Sequence, residues 1–215
     1  MLYKKVTFLI DGFNLYHSVR RAQKELNAPA KWLDIKNLCE SRLQNIRSAV
    51  GSLAQLESIY YFSAYADHLN DPSVVQRHKN FVKCLKDSGI KVEINRFKQK
   101  EIWCPFCKKM IVKHEEKETD VSLASKLLEI CVNNECDIVV LLSGDTDLAP
   151  AVRTARKLCP DKHILFMFPA YRKNKQLDQL CPGSIVIKPK HYQNHQFPDP
   201  YILKNGQKIL KPMSW

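Results

Sequence analysis

Four aspartates stand where this sequence could do chemistry. Asp11 closes an apolar run at residues 6–10 (VTFLI), and Asp145 and Asp147 follow a second run at 138–142 (IVVLL). Asp120 opens a stretch with apolar residues at helical spacing, Val121, Ala124, Leu127, Leu128 and Ile130. Carboxylates gathered in one place repel, and burial makes the repulsion worse. A divalent cation relieves it, and hard oxygen donors with retained waters suit Mg²⁺ or Mn²⁺. Such a site polarises a phosphoryl oxygen, activates water and steadies a leaving oxygen, which are the needs of phosphodiester hydrolysis. Each aspartate alone also reads as a turn former or a helix cap.

Smaller signals surround the acids. Asn14 lies one helical step past Asp11, and its amide can hold a carboxylate or a metal's water, as can the hydroxyls of Ser143 and Thr146. Lys117 precedes Asp120 and can meet a phosphate. Tyr171, Arg172, Lys173 and Lys175 follow another apolar run at 163–168 and are further phosphate candidates. His17, Arg20, Arg21 and Lys24 share the helix after the first motif, where a packed histidine and a wet basic face are the simpler reading.

The elements that must position these groups alternate. Residues 6–10, 56–62, 90–94, 138–142, 163–168 and 184–187 read as strands, with 138–142, the most apolar, at the sheet centre. Helices are expected over 13–25, after Asp34 through Ile46, from Asp71-Pro72 to Gly89, from Thr119 or Asp120, and from Pro150 to about Leu158. Alternation of this kind implies a mostly parallel sheet with helices on both faces. In such sheets functional groups gather beyond the carboxyl ends of the strands, at the point where strand order reverses. If the strands at 6–10 and 138–142 are neighbours there, all four aspartates share one crevice. Residues 97–113 interrupt the alternation and read as an inserted hairpin or knuckle. The tail from Lys188 contains Asn205-Gly206, a type I′ hairpin signal that predicts a hairpin over 201–210, packed on the domain.

The chain has 215 residues, a formal charge of +12 and no apolar run of membrane-spanning length. Its N-terminus enters a strand directly, without a signal-peptide pattern, so a cytoplasmic protein is expected. The charge favours polyanions, nucleic acid first, although a soluble basic surface alone would also account for it.

Among eight cysteines, Cys39, Cys84, Cys159 and Cys181 read as small buried hydrophobes. Cys104 and Cys107 form a CxxC pair like one knuckle of a structural Zn²⁺ site, which normally takes four ligands. A second CxxC is missing. His114 is the nearest extra candidate, Cys131 and Cys136 are a more distant pair, and a homodimer could pool two CxxC pairs. Reduced thiols in a hairpin are an equal reading. Basic residues interleave with Trp103 and Phe106 in this stretch, as on a strand-binding surface, but the aromatics read better as packing beneath the knuckle.

The stretches FLIDGFNL at 8–15, EEKETDV at 115–121 and LSGDTDL at 142–148 together resemble the NYN-domain family of the PIN-like nuclease superfamily, its LabA-like bacterial members most closely. The resemblance covers roughly residues 5 to 187, leaving 188–215 as a C-terminal extension. It implies a Rossmann-like PIN fold and Mg²⁺- or Mn²⁺-dependent endoribonuclease activity on RNA. The family's first Asp and following Asn fall on Asp11 and Asn14, its Lys-x-x-Asp element on Lys117 and Asp120, and its Asp pair on Asp145 and Asp147. The middle motif departs by offering Glu115, Glu116 and Glu118 as well. Two other functions stay open: a non-catalytic RNA-binding or regulatory module using the same crevice, and a phosphohydrolase of small molecules.

Overall fold

The structure is a computed structural model. It describes residues 3–67, 69 and 71–215, without the side chains of Lys113, Glu115, Glu116 and Lys117. Strand β1 is Lys4–Asp11, followed by α1 (Gly12–Leu26), α2 (Ile35–Val50) and β2 (Ala54–Ala64). Next come α3 (Pro72–Asp87), β3 (Lys91–Cys104), β4 (Lys109–Lys117) and α4 (Thr119–Val132). Then β5 (Ile138–Leu142), a 3₁₀ turn at Thr146–Leu148, α5 (Ala149–Leu158) and β6 (His163–Phe168) follow. The chain finishes with α6 (Lys175–Leu180), β7 (Ile185–Val186), α7 (Pro189–Asn194), β8 (Tyr201–Ile202) and β9 (Lys208–Ile209).

The helices start where their capping chemistry says. Asp11, Asp34 and Asp71 each accept a hydrogen bond from a backbone N–H in the first turn of α1, α2 and α3, satisfying donors that have no partner within the helix. Pro72 fits the opening of α3, where its missing N–H costs nothing.

Seven strands form one sheet in the order β4-β3-β2-β1-β5-β6-β7. All neighbours are parallel except β3 and β4. β1 and β5 are continuous apolar runs because both faces of the sheet are covered. Phe8, Ile10, Val140 and Leu142 face a core with Leu15, Val19, Leu38, Ile46 and Leu85 from α1, α2 and α3. Leu9, Val139 and Leu141 face the opposite layer with Leu123, Leu127 and Val152 from α4 and α5. Truncating one such side chain, Phe8→Ala for example, costs about 3–5 kcal/mol. Among the described residues no helix is long and apolar enough to cross a membrane.

Two expectations need correction. The strand expected over 90–94 does not stop there. Only residues 91–95 pair with β2; beyond them β3 continues and is returned on by β4, from Arg96 opposite Lys117 to Cys104 opposite Lys109. Of the two forms expected for the insertion the structure has the hairpin, as a long two-stranded ribbon prolonging the sheet, and not the compact knuckle. Among its described residues none is buried up to the ribbon's end at Lys117, so it lacks the apolar alternation that marks a strand. The C-terminal hairpin is present but its turn is not type I′, which needs positive φ at both central residues. Only Gly206 has positive φ, at 85°, and Gly206 N–H bonds the Leu203 carbonyl while Leu203 N–H bonds the Gln207 carbonyl. This is the three-residue hairpin form, with Gly in the left-handed position. Residues beyond 187 join the main core through Tyr192, Phe197, Leu203 and Ile209.

Candidate active site

Strand order reverses between β1 and β5, which pair in parallel with Ile10 beside Leu142. Asp11 ends β1, and Ser143 to Asp147 leave the end of β5. Two glycines let the loops close up. A Cβ on Gly12 would lie 2.6 Å from the Phe62 carbonyl oxygen of β2, and one on Gly144 would lie 2.2 Å from the Arg172 carbonyl oxygen after β6. Neither distance is compatible with a side chain, so glycine at these points brings neighbouring strand ends into backbone contact.

Asp11 is only 5% exposed, yet its carboxylate is held. Oδ1 accepts from Asn14 N–H at 2.9 Å and Oδ2 accepts from the Ser143 hydroxyl at 2.8 Å. Burial pushes its pKa up, the two hydrogen bonds oppose that, and the charge of Asp145 adds to the rise. Ser143 Oγ also accepts from Asp145 N–H at 3.1 Å, and Asp145 Oδ1 accepts from Asp147 N–H at 3.0 Å. Asn14 Oδ1 accepts from Gly144 N–H at 3.1 Å. The loop after β5 is thus laced to the start of α1.

Asp120 completes the group from the first turn of α4. Although part of its surface is exposed, desolvation and then the charges of Asp11, Asp145 and Asp147 raise its pKa to about 6. The four aspartates therefore feel one another across one crevice. Of the extra acids in the middle motif, Glu118 turns away: it has φ of 78° and pairs with Arg96 at 2.9 Å and Lys98 at 3.8 Å. Lys117 ends β4, and its side chain, like those of Glu115 and Glu116, lies outside the described residues.

The expected substrate contacts divide. Ser143 holds a carboxylate, as its hydroxyl was expected to: it donates to Asp11 and accepts from Asp145 N–H, and its full burial keeps it from a substrate. Thr146 is half-buried at the start of the 3₁₀ turn. Arg172 is exposed on the loop against Gly144 and lies close enough to His17 to lower that imidazole's pKa, second to burial. Lys173 pairs with Asp178 at 2.8 Å, and the Tyr171 ring is covered by the Arg21 guanidinium at 4.3 Å. Arg172 is thus the best-placed cation of that set.

Asn95 was not foreseen. Its amide donates to Thr119 Oγ1 at 3.2 Å and accepts from Ser122 Oγ at 3.4 Å, fixing the start of α4 and with it Asp120. No local pattern marks it, since its partners lie more than twenty residues away. Tyr192 is another: its hydroxyl accepts from Ala170 N–H at 3.0 Å and bonds Ser18 Oγ at 2.8 Å, bracing the loop that leads to Arg172.

The donor set consists of carboxylate, hydroxyl and amide oxygens, which fits a hard divalent cation. Among the described residues no three His, Cys, Asp or Glu side chains close around a single point. A cation that retains several waters does not require them to. The same holds at the ribbon tip, where Cys104 and Cys107 have no third protein ligand beside them among the described residues. His114 is opposite Gln99, five rungs from Cys104, roughly 17 Å away along the strand. Cys131 and Cys136 are buried in the core layer under α4.

The NYN domain family model matches residues 5–187. The protein 6-hydroxy-3-succinoylpyridine 3-monooxygenase HspA of Pseudomonas putida (strain DSM 28022 / S16) is 25% identical over 235 residues, spanning 96% of this chain and 73% of its own length. The crystal structure of a protein of unknown function from Vibrio parahaemolyticus RIMD 2210633 superposes with a TM-score of 0.55 at 17% identity, covering 86% of this chain and 94% of that one. That likeness shows the fold alone.

Proposed function

Because the chain belongs to the NYN domain family of the PIN-like superfamily, we propose that it is a metal-dependent endoribonuclease. The observation that carries this reading is the meeting of Asp11, Asp120, Asp145 and Asp147 at the strand-order reversal, close enough for three of them to raise the pKa of the fourth. Carboxylates repel phosphate, so four of them in one crevice of a chain with charge +12 make sense with a cation between them and an anionic polymer. These aspartates would hold Mg²⁺ or Mn²⁺. When bound, such a cation supplies Lewis acidity toward a phosphoryl oxygen and lowers the pKa of water.

The chain's own residues do the rest. Ser143 and the Asn14 N–H fix both oxygens of Asp11, so that carboxylate does not have to be reorganised when substrate arrives. Asn14 and Gly144 tie the loop carrying Asp145 to α1. Arg172, exposed beside that loop, meets a phosphate of the strand.

The test is cleavage of single-stranded and structured RNAs by wild type and Asp145→Asn, each with Mn²⁺ and with EDTA. Cutting that needs both the metal and Asp145 supports the reading, with a loss on the order of 10²–10⁴-fold in the variant, matching the several kcal/mol a metal supplies. RNA bound but uncut by either protein overturns it in favour of a binding module. Hydrolysis of nucleotides in preference to polymers would make it a small-molecule phosphohydrolase.

The Pseudomonas putida protein motivates a second reading, oxygenation of a hydroxypyridine, since that similarity spans nearly the whole chain. Offering 6-hydroxy-3-succinoylpyridine with dioxygen and a reduced nicotinamide or flavin to the same preparations decides it. Formation of a hydroxylated product that ignores the Asp145→Asn change would replace the nuclease reading.

A further inference from the structure

The tip of the β3–β4 ribbon is a half-site. Cys104 ends β3, Lys109 begins β4, and residues 105–108 make the turn, with Lys108 in the left-handed region at φ 48°. Cys104 and Cys107 lie on the two sides of that turn, at the C-x₂-C spacing that structural Zn²⁺ sites use. Tetrahedral Zn²⁺, with Zn–S near 2.3 Å, sets its sulfur ligands about 3.8 Å apart. The turn prearranges the pair to fill one side of that tetrahedron.

Among the described residues no other cysteine or histidine stands beside the pair to complete a site. His114 sits down the strand, Cys131 and Cys136 are sealed in the core, and Cys39, Cys84 and Cys181 are buried too. Meanwhile the ribbon end lacks a cover. Ile102 opposite Ile111 and Trp103 opposite Met110 put apolar side chains on both faces, and all four are exposed, with Phe106 at the turn 95% exposed. Contiguous exposed apolar surface of this kind marks an interface.

We propose that Cys104 and Cys107 of two copies of this chain close one tetrathiolate Zn²⁺ site, joining the ribbon tips in a homodimer. A second copy is the occupant because it supplies the missing half of the ligand set in the same prearranged form. It also settles the charge. Each tip carries Lys108 and Lys109, so two bare tips repel. Binding releases four thiol protons to solvent and leaves one Zn²⁺ on four thiolates, a net charge of −2 amid those lysines. The proposal is independent of the nuclease reading.

The experiment uses the full-length, reduced, metal-free protein titrated with Co²⁺ and, separately, with Zn²⁺. The sulfur-to-cobalt charge-transfer band counts only metal on thiolates, so cations in the acidic crevice do not contribute. The band should saturate at one cobalt per two chains. Light scattering with Zn²⁺ should move from the mass of one 24.9-kDa chain to that of two. Cys104→Ser/Cys107→Ser should abolish the band and the doubling while leaving the metal-free melting temperature unchanged, which shows that the variant is folded. Saturation at one metal per chain, absence of a thiolate band, or a doubling that persists in the double serine variant would each overturn the proposal.

Discussion

Asp11 is 5% exposed and both its oxygens are hydrogen-bonded, whereas Phe106, on the ribbon tip, is 95% exposed. The acidic crevice lies between interior strands, its loops locked by glycine contacts and by Ser143 and Asn14. The ribbon leaves the sheet at its edge, where β3 beyond Asn95 pairs with β4 alone. One region is finished within the chain; the other is stiffened by backbone pairing and left open at its side chains. The contrast teaches that prearrangement and completeness are different things. The ribbon is as regular as the crevice in backbone, but its chemistry is supplied in halves.

The contrast breaks most sharply if an added methyl is tolerated in the crevice. Gly144→Ala must move the Arg172 carbonyl, a backbone atom 2.2 Å away. Overpacking of this sort costs about 1–3 kcal/mol, read by urea unfolding. A loop displaced by about 1 Å should lower RNA cleavage on the order of 10²-fold. Ser143→Ala comes next. It removes one bond from Asp11 and leaves Asp145 N–H unpaired, for about 1–3 kcal/mol of stability. The Asp11 pKa should rise further, so the acid limb of the cleavage profile should move to higher pH.

A smaller effect is electrostatic. Asp120, at about 6, and Asp11 both hold protons more tightly in the folded chain than in the unfolded one. Without metal, these two acids make the folded state bind more protons between the ordinary carboxylate range and pH 6, so their share of the stability falls as pH rises through that window. Histidines held below their usual pKa, His78 at about 4 above all, push the other way. The acids are therefore read as the difference between wild type and Asp120→Asn melted in EDTA at pH 5 and at pH 7.5. Wild type should lose more, or gain less, than the variant between the two, and an equal change in both would mean that the acids are not coupled. The smallest effects belong to the ribbon of the metal-free chain. Arg96→Ala breaks an exposed pair with Glu118 and should cost under about 1 kcal/mol. Trp103→Ser/Phe106→Ser should change chemical stability by less than about 0.5 kcal/mol, and a larger loss would place those rings in a packing role within one chain.

Sequence alone revealed much of the crevice for a physical reason. Asp11 and Asp145 follow apolar runs that only doubly covered parallel strands require, so their place at the carboxyl ends of strands could be read directly. The separation of Asp120 from Glu118 could not, because it turns on one left-handed residue and on a salt bridge to Arg96 across the ribbon. That Ser143 could hold a carboxylate was legible, but its full burial was not, because nothing nearby in sequence announces it. The ribbon was hidden for the opposite reason: without a buried face, residues 96–104 show no period to detect.

The bracing of Ala170 by Tyr192 has a consequence for the order of events during synthesis. All four aspartates have been made before Tyr192 is added. The Ala170–Arg172 loop stays without its hydroxyl support, and the core without Phe197, Leu203 and Ile209, until the end of the chain docks. Domains fold as their parts emerge, N-terminal parts first. A ribosome still holding this tail would therefore carry a nascent chain that has all four aspartates but whose Arg172 loop is not yet braced.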